Sequence, residues 1–119
     1  MLYGHWCYIG AGKLDTKAFG FLYLVENKLN GRKYVGIKQF RFSKNRASDW
    51  ENYVSSSKWL QRDIKTLGKD NFKFFIIGVY PDKQSLKYAE LAYMVNSNAL
   101  FRDDYYNQYV YARFINRKV

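Results

Sequence analysis

Two short apolar segments separated by a polar one occupy residues 20–36, and this pattern predicts a β-hairpin. The first strand is the short apolar run Gly20–Glu26, and the return strand is Lys33–Gly36. The polar segment between them contains Asn30-Gly31, a dipeptide typical of hairpin turns. A further run, Phe72–Tyr80, is rich in aromatic and β-branched residues and predicts a third strand.

A first helix is predicted from about Lys58 to Leu67, with serines before it and Gly68 after it as caps. Apolar residues at i, i+4 and i+7 make one face of this helix, and basic residues at the same spacing make another. The apolar set is Leu60, Ile64 and Leu67, and the basic set is Lys58, Arg62 and Lys65.

A second helix is predicted from about Gln84 to Ala99, and residues 38–53 are interpreted as a loop with a helical turn. The order β-β-α-β-α favours an α+β domain with a small, three-stranded, mostly antiparallel sheet flanked by helices. The 119 residues fit a single domain. Its core is expected at about residues 20–110, preceded by a short N-terminal extension over residues 1–19.

The hairpin brings two tyrosines to one face of the sheet. Tyr23 and Tyr34 are eleven positions apart, and any loop of even length between the strands places both on the same side. A four-residue loop at Asn27–Asn30 would set the two tyrosines opposite each other. A two-residue loop at Asn30-Gly31 would set Tyr23 opposite Lys38 instead. Packing alone is the more common reason for such a pair.

Three other positions stand out. Gly36 would leave room for the backbone of a substrate to approach the return strand. Glu90 lies in an apolar sector of the second helix, about 40° from Leu86, where a carboxylate needs a basic partner or a metal ion. Asn107 follows two tyrosines and, by itself, is interpreted as a turn residue.

The charge of the chain indicates a polyanionic partner. Twenty basic residues against ten acidic ones give a net charge of +10, so nucleic acid is the first candidate and an anionic membrane surface the second. No apolar run approaches the 18 residues of a membrane span, which argues against the membrane. A single cysteine, Cys7, and the lack of a secretory signal favour the cytoplasm.

The sequence resembles the GIY-YIG nucleases. Gly20-Phe21-Leu22-Tyr23 and, ten residues later, Tyr34-Val35-Gly36 are similar to the two half-motifs of that family, although Phe21 and Leu22 replace its first glycine and isoleucine. Ser55-Ser56-Ser57-Lys58 and Gly68–Phe72 resemble the downstream core of its homing-type members. The resemblance covers about residues 20–110 and is closest to the phage homing-endonuclease-like (Seg-like) branch.

The resemblance implies hydrolysis of a DNA phosphodiester with one divalent cation, Mg²⁺ or Mn²⁺. Glu90 stands at the position of the metal-binding glutamate of the family. Tyr34 would activate the attacking water and Tyr23 would position it. Lys38 would interact with the negative charge of the phenolate or of the phosphate. Three neighbouring residues are candidates for the role of the family's catalytic arginine, and these are Arg41, Lys44 and Arg46. Arg46 is favoured.

The resemblance also implies a set of substrate-binding residues. The basic face of the first helix would hold flanking phosphates and give affinity without sequence information. The full set is Gly36, Lys58, Arg62, Lys65 and Asn107. Asn107 stands where many members of the family carry an asparagine near the end of the module.

The expected partner is DNA, in a bacterial or phage-infected cell, with no membrane. No room is left for a separate DNA-binding domain, so we expect weak sequence preference, a homodimer, or a targeting partner protein. The alternative is a non-catalytic, basic nucleic-acid-binding module on the same scaffold, in which aromatic residues stack on single strands.

Overall fold

A computed structural model describes residues 2–43, 46–110 and 114–115 of the chain, with side chains described as far as residue 108. Two α-helices are present in the described part, α1 at Lys58–Leu67 and α2 at Lys83–Ser97, with short 3₁₀ turns at Lys69–Asn71 and Ala99–Phe101. The strands of the described residues are β1 (Leu2–Tyr3), β2 (Trp6–Tyr8), β3 (Gly20–Asn27), β4 (Lys33–Gln39), β5 (Arg41–Ser43), β6 (Arg46–Ala47), β7 (Phe72–Tyr80), β8 (Tyr109–Val110) and β9 (Phe114–Ile115).

The main sheet has five strands in the order β1-β2-β7-β3-β4. The sheet is therefore larger than the three strands predicted from the sequence. The predicted hairpin and third strand form the pairs β3-β4 and β3-β7, both antiparallel. The α+β class is confirmed, and the predicted β-β-α-β-α elements are all present, but two short strands, β5 and β6, come between β4 and α1. The sheet is mixed, because β2 runs parallel to β7.

The first residues of the chain supply the two missing strands. β1 pairs with β2, and β2 adds to β7 at the far side of the sheet from β4. Trp6 on β2 is fully buried, and its indole N–H donates to the carbonyl oxygen of Trp50 at 2.9 Å. β1 and β2 are therefore part of the main sheet, and Trp6 is part of the core.

The register of the β3-β4 hairpin lies between the two that the sequence allowed. Tyr23 pairs with Gly36, and Val25 pairs with Tyr34. The loop is the four residues Lys28–Gly31, closed by a hydrogen bond from the Asn27 N–H to the Arg32 carbonyl at 2.8 Å. The even length was predicted correctly, so both tyrosines share a face, but neither predicted loop position was right.

Each face of the sheet is covered by one helix. Odd-numbered residues of β3 pack with Leu60 of α1, in a core that also contains Trp6 and Phe74. Even-numbered residues of β3 pack with α2 on the opposite face, where Leu86 and Met94 are buried. Tyr23 and Tyr34 belong to the α1 side of the sheet.

The helix boundaries follow their caps. Ser57 Oγ accepts from the N–H of Leu60 at the start of α1, as its sequence predicted. Asp82 caps α2 by accepting from the N–H of Ser85 at 2.7 Å. Asn98 adopts a left-handed conformation with φ of 55°, and this ends α2 two residues before the predicted boundary.

The segment after β4 forms a hairpin that was not predicted, and the expected turn follows it, where the Tyr53 N–H donates to the Trp50 carbonyl at 3.2 Å. Arg41 on β5 pairs with Ala47 on β6. The Phe42 ring lies between two cations, with Lys38 Nζ at 5.3 Å and the Arg46 guanidinium at 5.1 Å from its centre. Such cation–π contacts have no periodic sequence signature, which explains why this hairpin was not predicted.

Candidate active site

Three tyrosines meet on the α1 face of the sheet. The ring centres of Tyr23 and Tyr34 are 6.1 Å apart, and Tyr53 meets Tyr23 edge-on at 6.0 Å. Tyr23 is fully buried, whereas Tyr34 and Tyr53 are partly exposed. The shared face of Tyr23 and Tyr34 was predicted, but Tyr53 was missed because it lies in a segment without periodicity.

The Tyr23 hydroxyl is buried near Tyr53 and Ser56, but it forms no hydrogen bond of good geometry with any described residue. Burial raises the pKa of Tyr23 well above its ordinary value, and the nearby Tyr34 and Tyr53 phenols raise it further. This phenol is therefore neutral at ordinary pH and offers an unused O–H donor.

Gly36 provides the space that the Tyr23 side chain occupies. A Cβ atom at position 36 would lie 2.5 Å from the Tyr23 hydroxyl oxygen and 2.6 Å from the ring carbon that bears it. From the sequence alone, Gly36 was expected to leave room for a substrate to approach. The structure shows the cross-strand tyrosine there instead, so the glycine positions Tyr23.

The Tyr34 hydroxyl reaches the mouth of a groove. It hydrogen bonds with Ser56 Oγ at 3.0 Å, in the serine run that precedes α1. The groove has a volume of about 280 Å³, and its lining residues are Tyr34, Ser56, Ser57, Lys58, Trp59, Tyr106 and Gln108. The serines were interpreted only as a helix cap and a motif match, so the contact of Ser56 with Tyr34 was not foreseen.

Lys38 lies at the other end of the β4 face. Its ammonium nitrogen is 4.4 Å from the ring centre of Tyr53. A second groove, of about 340 Å³, opens here between β4 and the start of α2. Lys38, Lys83 and Lys87 line it, so this end of the site is strongly basic.

The two candidate arginines lie on the exposed β5-β6 hairpin. Arg46 contacts the same Phe42 ring as Lys38, which places its guanidinium at the Lys38 end of the site. Arg41 is exposed on β5. The third candidate, Lys44, lies outside the described residues.

Glu90 lies on α2, which packs against the face of the sheet opposite the tyrosines. Leu86 and Lys87, one helical turn before Glu90, line the same groove as Lys38 of β4. This part of α2 therefore lies next to the edge strand β4. Burial raises the pKa of Glu90, and the charge of Lys87 opposes this effect. The only ion pair among the described residues joins Arg102 and Asp104, so the buried salt bridge considered for Glu90 is not formed there.

Asn107 anchors the edge strand β4. Its side chain is buried, with Oδ1 accepting from the Val35 N–H at 3.1 Å and Nδ2 donating to the Val35 carbonyl at 2.9 Å. The preceding residues run along the same edge, where the Tyr106 N–H donates to the Lys33 carbonyl at 2.6 Å. Asn107 thus holds the backbone next to Tyr34, and it is not the turn residue suggested by its local sequence.

The basic face predicted on α1 is present at the surface. Lys58, Arg62 and Lys65 are all exposed. Lys58 also lines the groove beside Tyr34, which joins this basic face to the tyrosine cluster.

Two findings on the described residues concern metal binding and membrane insertion. Among the described residues, no three histidine, cysteine, aspartate or glutamate side chains are grouped so that they could hold a metal ion. A cation at this site would depend on few protein ligands. No helix in residues 2–43 or 46–110 is long and apolar enough to cross a membrane.

Comparison with known proteins agrees with this geometry. Residues 6–110 match the family described as "Putative endonuclease segE, GIY-YIG domain". The chain is 33% identical over 89 residues to "Putative endonuclease segB" of Enterobacteria phage T4, an alignment that covers 75% of this chain and 37% of that protein. The chain thus spans little more than a third of the length of this relative. No solved structure matches the chain. The half-motifs on β3 and β4, the tyrosine cluster and the family match together show that this chain belongs to the GIY-YIG nuclease family, in its phage Seg-like branch.

Proposed function

We propose that the chain is a metal-dependent DNA endonuclease that hydrolyses a phosphodiester on the α1 face of β4. The observation that carries the proposal is the buried Tyr23 hydroxyl, which forms no hydrogen bond of good geometry in the described structure and packs against Gly36. A buried donor without an acceptor is costly to a folded protein. A water molecule or a substrate oxygen admitted beside the Tyr23 hydroxyl would supply the acceptor.

The α1 face of β4 suits a DNA strand at its two ends, where Tyr34 and Lys38 are partly exposed on either side of the buried Gly36. Tyr34, Gly36 and Lys38 follow one another on the same face, over about 13 Å from the first to the last at the usual rise of a strand. Each end of this track opens into a groove, and each groove contains lysine. A phosphate backbone laid along β4 would therefore meet phenols at one end and ammonium groups at the other.

The two tyrosines take different roles in this proposal. Tyr23 stays protonated because it is buried, so it donates a hydrogen bond and positions the attacking water or a phosphate oxygen. Tyr34 reaches the surface and bonds to Ser56, so it can release its own proton and, as the phenolate, accept one from the attacking water. The Lys38 ammonium would stabilise negative charge on a phenolate or on the phosphate, and Arg46 would reach the phosphate from the hairpin.

Glu90 fits the role of the residue that holds the divalent cation. Glu90 is partly buried without an ion pair in the described structure, and oxygen is the ligand that Mg²⁺ and Mn²⁺ prefer. One carboxylate is enough for Mg²⁺, which keeps several waters and takes substrate oxygens as further ligands. When bound, such a cation neutralises charge on the phosphate and the leaving oxygen.

A non-catalytic DNA-binding module is the second candidate. The observation in its favour is that the described residues hold no cluster of three metal ligands. In that case the same grooves and basic face would bind DNA without cutting it. A homodimer or a separate targeting protein would supply sequence preference under either function.

Plasmid nicking separates the two functions. The protein is incubated with supercoiled plasmid in Mg²⁺, in Mn²⁺ and in EDTA, and the fraction of open circles is followed with time. We expect nicking with either metal, none in EDTA, and a large loss of rate for Glu90→Gln. DNA binding without nicking under any metal would favour the binding module, and equal cutting by Glu90→Gln would refute the role of Glu90.

A further inference from the structure

The groove beside Tyr34 has an aromatic wall, which phosphodiester hydrolysis does not require. Its volume of about 280 Å³ is at the small end of ligand sites in proteins, and a duplex cannot enter it. Its wall combines the rings of Trp59 and Tyr106 with the hydroxyl of Ser56 and the ammonium group of Lys58. A small, mainly aromatic recess with a few polar groups is suited to a flat heterocycle.

Trp59 is the main aromatic surface of this groove. It is only partly buried, and it meets Tyr106 edge-on with ring centres 5.2 Å apart. The Arg32 guanidinium lies 4.8 Å from the centre of the Trp59 ring. Accessible indole rings next to arginine are the groups on which proteins stack single-stranded bases.

The aromatic wall is held in place before any ligand arrives. The Tyr106 hydroxyl donates to Asp63 Oδ2 at 2.7 Å and accepts from Asn27 Nδ2 at 3.0 Å. These bonds fix the ring that packs against Trp59. A wall that is already ordered loses little conformational freedom when a ligand binds.

The groove opens next to the proposed chemistry. Ser56, on its rim, bonds to the Tyr34 hydroxyl at 3.0 Å. A nucleotide whose phosphate lies at Tyr34 would therefore have its base within reach of Trp59. We propose that this groove binds one unstacked base of the strand being cut, with Trp59 as its stacking partner.

This inference rests on the proposed function, because it takes the substrate to be DNA. It also narrows the substrate class. Removing a base from a duplex is least costly where the base is mismatched, damaged or already single-stranded. The groove would thus favour DNA with an unpaired nucleotide at the cut site over fully paired DNA.

The test measures binding in EDTA, where no cleavage competes. A short single-stranded oligonucleotide is compared with an abasic oligonucleotide of the same length, which keeps the phosphates and lacks the bases. Trp6 and Trp50 are buried, so a change in tryptophan emission on binding reports mainly on Trp59. We expect the natural oligonucleotide to bind about ten-fold more tightly and to quench the emission, and the abasic one not to quench it.

Variants assign the effect to the groove. Trp59→Leu should bind both oligonucleotides alike, and Trp59→Phe should keep part of the difference. Lys65→Ala, whose side chain is outside the groove, should weaken binding of both by the same factor. If circular dichroism shows that Trp59→Leu does not fold, the emission of the wild type and the affinity of Trp59→Phe decide the result.

Equal affinity of the wild type for the two oligonucleotides, without quenching, would overturn the proposal. The nicking assay keeps this failure separate from that of the endonuclease. Cleavage without base discrimination would refute the groove alone, whereas base discrimination without cleavage under any metal would refute the endonuclease and leave the groove standing.

Discussion

At the scale of single residues, two buried tyrosines on the same face of the sheet have opposite environments. The Tyr106 hydroxyl bonds to Asp63 and Asn27, whereas the Tyr23 hydroxyl forms no hydrogen bond of good geometry in the described structure. A hydroxyl that is kept buried without a partner is unfavourable for stability, so a role other than stability is expected for it.

We therefore predict opposite effects of removing each hydroxyl. Tyr106→Phe should lower the free energy of unfolding by about 2 kcal/mol, because two hydrogen bonds are lost. Tyr23→Phe should raise it by about 1 kcal/mol, because a buried donor without a well-formed hydrogen bond is removed, yet should lower the cleavage rate. Urea denaturation of both variants gives the comparison. A loss of stability in Tyr23→Phe equal to that in Tyr106→Phe would mean that the Tyr23 hydroxyl is a structural group.

Gly36 should behave as the partner of Tyr23. Gly36→Ala would push a methyl group into the Tyr23 ring, and we expect a loss of about 1–3 kcal/mol of unfolding free energy. In a Tyr23→Leu background the clash is relieved, so the same substitution should cost clearly less. Equal costs in both backgrounds, measured as a double-mutant cycle, would show that Gly36 serves another purpose.

At the scale of elements, the parts with a regular local pattern were predicted and the parts held by distant partners were not. α1 and β7 follow from their periodicity, and the even-length hairpin loop fixed the shared face of the tyrosines. β2 is three residues long and pairs in parallel with β7, far along the chain, which no local signal reveals. Glu90 was noticed because a carboxylate is out of place among apolar neighbours.

Replacing Asn107 tests whether its side chain anchors the edge strand β4. We expect Asn107→Ala to lower the unfolding free energy by about 3 kcal/mol, because two buried backbone groups of Val35 lose their partners. Hydrogen exchange of the Val35 amide should become much faster. The amide of Val25, inside the sheet on β3, is the control and should change only as far as global stability does. Unchanged protection at Val35 would contradict the anchoring role.

Glu90 should make stability depend on pH in a defined direction. Its pKa is raised in the folded protein, so the neutral form is favoured there. The stability tied to this group is complete below its ordinary pKa of 4.5 and is lost as pH rises through the raised value. In EDTA, Glu90→Gln should therefore be more stable than the wild type at neutral pH, and this advantage should vanish under acid conditions.

Glu51→Gln provides the control for the loss of one charge, because Glu51 is exposed in the loop after β6. Mn²⁺ should stabilise the wild type more than Glu90→Gln, since a ligand that binds only the folded state raises stability. An advantage of Glu90→Gln that stays constant with pH would show that the carboxylate is not buried at a cost.

At the scale of the whole molecule, an excess of ten positive charges surrounds a site built on a single strand face. The exposed cations of α1 lie at one end of β4, and Lys38, Lys83 and Lys87 lie at the other. The composition alone predicted a polyanionic partner, but only the fold shows that the cations flank the tyrosines. The family match over residues 6–110 covers this entire arrangement.

The most direct test of the account is the single-turnover cleavage rate of a defined duplex in Mg²⁺, with the product ends mapped. We predict that the wild type cuts, that Tyr34→Phe loses about 100-fold or more in rate, as expected for a general base, and that Tyr88→Phe, an exposed tyrosine on the outer side of α2, cuts like the wild type. Cleavage by Tyr34→Phe at the wild-type rate would contradict a catalytic centre on the β4 face.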